Sequence, residues 1–273
     1  MNTQRATATP TDEPRVQARP PGFFADLITV AGRAIRAIPR EPEAVIPALV
    51  VPVFFFVVNI GSLQKITERG APGFDFKAFQ LPVAIIFAVT GVSRASALVT
   101  DIQDGYFDRL LMTPIRRIAL LLGLMIADFA LVVSLAIPVV ILGFAVGVRF
   151  ETGPLGILAF LILAGSWGLV FTGFPYAIAL KTGNPAAVNS SFILFFPFAF
   201  LTTSFVPRAA LTGWLSTVAT YNPVTYLLDG LRALVSSGWD AALLGKAILA
   251  VLGVGILSMS LALSALRGRV ART

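Results

Sequence analysis

From Ala44 to Leu266, long apolar runs alternate with short polar breaks. Most runs approach or exceed the roughly 20 residues that a helix needs to cross a bilayer. They fall at about Ala44–Leu63, Pro82–Thr100, Ile118–Val148, Leu155–Leu180, Ala187–Val206 and Leu243–Leu266. Six such spans return the chain to the side on which it started. Ahead of them the pattern changes. Phe24, Leu27, Ile28, Ala31, Ile35 and Ile38 recur at helical spacing while Asp26, Arg33, Arg36 and Arg40 take the other side, which predicts an interfacial amphipathic helix over 23–40. Residues 1–22, rich in Thr, Pro and Arg and poor in large apolar side chains, read as a disordered cytoplasmic tail. The pattern predicts an all-α integral membrane fold, with a six-helix domain over 41–273.

Two stretches interrupt the alternation. The first, Asp101–Arg117, is a run of charge between the second and third spans. Read as one helix, it places Ile102, Tyr106 and Leu110 on a stripe widened by Phe107 and Leu111, with Asp101, Asp104 and Asp108 opposite. Thr113-Pro114 ends that helix, because proline disfavours the α region for the residue before it. A short surface helix showing acids to water suits the grip of a soluble motor; the same charges also suit a solvated loop that fixes topology. The second stretch, 202–240, is too polar to span and too apolar for a free loop. Asn222-Pro223 breaks it ahead of an amphipathic helix bearing Leu227, Leu228, Leu231 and Leu234, and Trp214 and Trp239 favour the headgroup level. It is expected to dip into the membrane and return, where only protein or water can satisfy its backbone.

Composition narrows the chemistry. Charged residues make up 13% of the chain, well below the roughly one quarter usual in soluble domains, and hydrophobic residues 56%. The net charge of +7 comes from basic residues flanking apolar runs, which points to anionic lipid headgroups and away from nucleic acid. Thirteen Lys and Arg lie on the side holding the chain ends and seven on the other, with Arg94 inside a span. This bias places both termini in the cytoplasm of a multi-pass plasma-membrane protein. With no cysteine and no histidine, the chain lacks disulfides, thiol nucleophiles and the usual metal ligand sets, so no metal site is expected. Gly245-Lys246-Ala247 lacks the spacing of a phosphate-binding loop, and no nucleotide site is expected either.

Arg94 and Asp128 are ionisable groups in apolar surroundings, each a functional hypothesis by default. They suit a packing role between helices, or a proton or cation relay in an ion-coupled secondary transporter. Phe54, Phe195 and Phe196, with Asn189 and Asp128, are candidates for lining the path of a hydrophobic substrate; phenylalanines in spans also simply face lipid. A membrane-embedded enzyme of lipid metabolism ranks last, since no close carboxylate pair occurs within a span.

Asp101, Gly105, Asp108, Arg109, Pro114 and Arg117, followed by Phe205-Val206-Pro207, Trp214-Leu215, Asn222-Pro223-Val224-Thr225, Asp229, Leu231-Arg232 and Gly238, resemble the membrane subunit of ABC-2-type exporters. The likeness is greatest to the daunorubicin-resistance branch and runs over nearly the whole chain after Ala44. Leu110-Leu111-Met112-Thr113 departs from the arginine-rich run usual in that branch, and Arg116 stands where a small polar residue is usual. The resemblance implies a non-enzymatic permease, as a homodimer or paired with a second permease, that exports a drug, lipid-like molecule, glycolipid or polysaccharide. It implies that ATP and Mg bind a separate ATPase, which receives the segment bearing Asp101, Asp104, Gly105, Tyr106, Asp108, Arg109, Leu111 and Pro114. Pro207, Trp214, Asn222, Pro223, Asp229 and Arg232 would belong to the re-entrant segment.

Overall fold

The computed structural model describes residues 23–37, 42–90, 92–111 and 117–270. The expected tail over 1–22 lies outside them. Every regular element among the described residues is helical: α1 (Phe23–Ala37), α2 (Pro42–Gly70), α3 (Phe76–Thr90), α4 (Ala95–Gln103), α5 (Tyr106–Leu111), α6 (Arg117–Ala145), α7 (Gly153–Phe171) and α8 (Gly173–Thr182) come first. They are followed by α9 (Pro185–Ser190), α10 (Phe195–Phe200), α11 (Gly213–Tyr221), α12 (Pro223–Arg232) and α13 (Ala241–Val270).

Among the described residues, five segments are long and apolar enough to cross a membrane: Ile46–Gly70, Phe76–Gln103, Leu121–Ala145, Gly153–Thr182 and Ala241–Val270. The fifth expected span differs. From Pro185 to Phe200 the chain runs helically through a 3₁₀ turn at Ser191–Leu194, then unwinds at Leu201. That length is about 24 Å at roughly 1.5 Å per residue, short of the roughly 30 Å hydrocarbon thickness. The expected span Ala187–Val206 is thus helical only as far as Phe200, and an irregular segment leads from its end to the short helices α11 and α12. The second span is also not one helix, for it breaks between Thr90 and Arg94 before α4 begins.

The α3 segment is the hub. Of its most apolar stretch 71% is buried, against 11% for α2, whose outer face carries the exposed Val50, Phe54 and Val57. Leu81, Ile85 and Val89 pack with Val132 and Val139 of α6, Phe160 and Trp167 of α7, and Leu227 and Leu231 of α12. A second apolar cluster gathers Leu98 and Ile102 of α4, Met125 of α6, Leu180 of α8 and Leu266 of α13. It lies at the end of the bundle where α1 and the close of α13 are found, here the near end. The turn between α2 and α3, the loop between α6 and α7, and the segment after α10 share the far end, tied by Lys77 Nζ donating to Val146 O at 3.0 Å and Thr152 Oγ1 to Leu234 O at 2.6 Å.

Gly168 marks the closest approach within the hub. A Cβ there would meet Val132 Cγ1 at 2.7 Å and the carbonyl oxygen of Val89 at 2.8 Å, and the backbone atom has nowhere to go. Gly168→Ala is therefore expected to lower stability by about 1–3 kcal/mol through overpacking. Gly61→Ala, the same change on α2 with nothing within 4 Å, is expected to be neutral or to gain up to about 1 kcal/mol in helix propensity. Thermal unfolding of the two purified variants checks this opposition in sign.

Candidate functional site

At the near end α4 stops at Gln103. The Asp104 amide closes on Thr100 O at 2.9 Å, and Gly105 follows with φ +68°, a backbone conformation that a side chain makes costly. The chain turns there and restarts as α5. The expected single helix through 101–111 is thus two helices about a glycine turn, and the expected stripe is rearranged. Ile102 and Phe107 are buried, while Tyr106 points outward, 41% exposed. Asp104 and Arg109 are exposed as well. The side chains of Asp108 and Leu111, and Pro114 as a whole, lie outside the described residues.

Asp101 does not join Asp104 on one acidic face. Arg33 of α1 donates from Nη2 to both of its carboxylate oxygens at 3.1 Å, and the same guanidinium sits 4.4 Å from the centre of the Tyr106 ring. Both partners reach solvent, so the pair contributes at most about 1 kcal/mol and serves to position the turn. Gln103 Nε2 adds a bond to Gly183 O at 3.0 Å, where α8 ends. Arg33 was legible only as one of three arginines on a polar face; which of them faces the turn is set by the packing of α1 on α6.

Deeper in the bundle, Asp128 of α6 is fully buried beside the break in the second span. Its Oδ1 accepts the Arg94 backbone N–H at 3.0 Å, so a carboxylate from a neighbouring helix supports the first turn of α4. The Arg94 side chain is buried there too, and the Tyr176 hydroxyl of α8 faces the same carboxylate. The other side of the break is held by Trp167 Nε1, which donates to Thr90 Oγ1 at 2.9 Å. Asp128 therefore sits in the packing between helices and lines neither the aromatic surface nor the cavity described next.

The phenylalanines form a connected strip along α2, α3 and α10. Phe55 stacks on Phe87 at 6.1 Å, Phe87 meets Phe200 edge-on at 5.6 Å, and Phe200 stacks on Phe196 at 5.6 Å and neighbours Phe205 at 5.6 Å. Phe195, expected on a substrate surface, is instead buried, packed edge-on against Phe87 and Phe171. Phe54 faces away on the outer side of α2 at 61% exposure. Phe192 contacts Phe196 and also lines a cavity of about 270 Å³ together with Thr90, Ser96, Asn189 and Ser191. Ser96 Oγ donates to Asn189 Oδ1 at 3.1 Å across it. An aromatic strip leading to a small hydroxyl- and amide-lined cavity can hold a flat apolar body with a polar edge.

At the far end the unwound segment after α10 is satisfied from within. Asn222 caps α12 by accepting the Val224 N–H at 2.9 Å and donates to Phe198 O at 2.9 Å and Leu201 O at 2.8 Å. Arg232 donates to Thr203 Oγ1 at 2.8 Å and Thr203 O at 2.7 Å, lies 3.6 Å from the Phe79 ring centre, and stands 4.0 Å from Asp229. Gln80 Nε2 donates to Ser204 O at 3.2 Å. Asn222, Pro223, Asp229 and Arg232 thus act together, whereas Pro207 starts a 3₁₀ turn nearby and Trp214 is 69% exposed on α11.

The Asp128 arrangement makes a direct expectation. Asp128→Leu strips the acceptor from the Arg94 N–H and is expected to cost about 1–3 kcal/mol for that group alone, seen as a lower unfolding temperature and less folded protein. Asp128→Asn keeps an oxygen for the same bond and is expected to retain most of the stability. Equal losses in the two variants, measured by thermal unfolding, would show that charge and not the amide bond is what matters there.

Comparison with known proteins meets this geometry. The family model described as ABC-2 type transporter matches residues 26–235. The chain is 26% identical over 226 residues to a daunorubicin resistance ABC transporter permease protein of Streptomyces coeruleorubidus, covering 79% of this chain and 78% of that one. It is 23% identical over 239 residues to a Mycobacterium tuberculosis protein named "probable doxorubicin resistance ABC transporter permease protein", covering 86% of each. The match runs from α1 through the break in the second span to just past α12, and the chain belongs to the ABC-2 type transporter family as a multi-pass membrane permease.

Proposed function

We propose that this permease is the membrane half of an ATP-driven exporter and moves an amphipathic, largely apolar molecule outward. Hydrolysis of ATP, with its Mg, belongs to a separate ATPase that docks at the near end, on the cytoplasmic side. The observation that carries the reading is the Gly105 turn. Its acid and base, Asp104 and Arg109, stand exposed, while Ile102 and Phe107 beneath them are buried in the second apolar cluster. A push on such a turn is delivered to α4, and through Asp128 to α6.

A second permease would cover the outer faces of α2 and α10, which this chain leaves bare at Val50, Val57 and Phe196. The aromatic strip and the Asn189 cavity supply the surface for the substrate, and the drug-resistance names of the relatives agree with a flat hydrophobic cargo. A proton relay through Asp128 and Arg94 has less support, because the Asp128 carboxylate is engaged in holding α4.

Two measurements bear on this. Asp104→Lys reverses an exposed charge at the turn and is expected to weaken co-purification with the cognate ATPase tenfold or more, about 1.4 kcal/mol, with the unfolding temperature unchanged. Unaltered co-purification moves the docking surface elsewhere. Gly105→Val is not a clean probe of docking, since φ +68° strains any side chain whether or not a partner is present. For sidedness, the absence of native cysteine makes single replacements unique reporters. Ala71→Cys is expected to react with an impermeant thiol reagent outside intact cells, and Gln103→Cys only after permeabilisation; the reverse pattern overturns the cytoplasmic placement of the turn.

A further inference from the structure

Between α8 and the last turns of α13 the near end carries an apolar groove of about 630 Å³. Phe174 and Ile178 of α8, Leu194 of the 3₁₀ turn and Leu261 of α13 form its walls. Leu194 and Leu261 are about half exposed, so the groove is open along its length. Its near-end mouth is bordered by Lys181 and Arg269, and no acidic side chain among the described residues lines it. The two cations come from different helices. Lys181 stands exposed in the last turn of α8, and the Arg269 guanidinium lies beside the Gly183 turn that ends the same helix, with Nη1 4.0 Å from where a Gly183 Cβ would be.

We infer that this groove binds an anionic phospholipid, its phosphate against Lys181 and Arg269 and one acyl chain along Phe174, Ile178, Leu194 and Leu261. Lys181 and Arg269 lie in the last turns of two membrane-crossing segments, the level at which headgroups meet basic residues. A cavity of this size suits a chain and a glycerol phosphate, leaving the second chain in the bilayer. The pair of cations repels a cationic amphiphile. A second copy related by a two-fold axis through the groove would set these cations against their own equivalents, so the charge opposes a homodimer contact here. The inference rests on α8 and α13 crossing the membrane and is independent of how transport is energised.

The test uses the purified full chain in detergent, without any ATPase. Offered equal dioleoyl phosphatidylglycerol and dioleoyl phosphatidylcholine, the protein is expected to retain phosphatidylglycerol preferentially in native mass spectrometry. Lys181→Glu is expected to lower that retention roughly tenfold, and Lys181→Arg to keep it. Lys65→Glu, on the opposite end of the bundle, is expected to leave it unchanged. A second readout needs no change of charge: Leu261→Trp places a reporter on the groove wall, and the quenching it adds to that of the three native tryptophans should be greater with acyl-brominated phosphatidylglycerol than with the brominated phosphatidylcholine. Equal retention of the two lipids, equal quenching, or unchanged retention in Lys181→Glu overturns the proposal. Displacement of the lipid by soluble glycerol phosphate at comparable concentration would mean a site for a free phosphate, which overturns it as well.

Discussion

A backbone amide or carbonyl released from a helix inside a bilayer has no water to turn to, and this chain releases several in two places. Between Thr90 and Arg94 the second crossing breaks; Asp128 takes up the Arg94 backbone N–H, and Trp167 holds the Thr90 hydroxyl on the other side. After Phe200 the fifth apolar segment unwinds, and Asn222, Arg232 and Gln80 take up the carbonyls of Phe198, Leu201, Thr203 and Ser204. Each repair uses a polar side chain from another helix, so neither irregular segment can form without the bundle around it. The buried polar residues are therefore part of what fixes the fold, and their presence in apolar spans does not by itself signal transport chemistry.

The first interruption also determines how the near end can move. Because α4 is severed from α3, it is fastened by its apolar face to α6, α8 and α13 and by one amide to Asp128. Arg33 links the following turn to α1, which itself lies along α6. In the proposed exporter, a force on α5 would act on α4 as a unit and reach α6 directly, through the shared apolar cluster and Asp128, and indirectly through α1. A continuous second span would have carried the same force into α3, the most buried helix, where the packing at Gly168 leaves little room to shift.

What the sequence made legible follows from how long each signal is. α2, α6 and α13 are announced by apolar runs of twenty residues or more, and α12 by its leucine stripe behind Asn222-Pro223. The break at 90–94 was hidden because it occupies a few residues within an apolar run, marked in the sequence by Gly91, Ser93 and Arg94 alone. Asp104-Gly105 is a common turn pair, yet the helical spacing of Ile102, Tyr106 and Leu110 outweighed it and gave one helix too many turns. In the fifth crossing the 3₁₀ turn at Ser191–Leu194 shifts the phase of everything after it, so periodicity could not tell which of Phe195 and Phe196 faces inward.

That shift of phase has a functional side. With Phe195 turned into the core, Phe196 and Phe200 lie parallel on the surface and Phe192 faces the Asn189 cavity, so the same few residues make a structural core and an open aromatic strip. Ring stacking is tolerant of outline and substituents, whereas the hydroxyls of Thr90, Ser96 and Ser191 can reward a polar edge without demanding one geometry. If the strip and cavity hold the cargo as proposed, a surface of this kind would admit many flat apolar molecules with similar affinity. Selectivity would then come from which molecules partition into the membrane beside α2 and α10, and from the size limit of a 270 Å³ cavity.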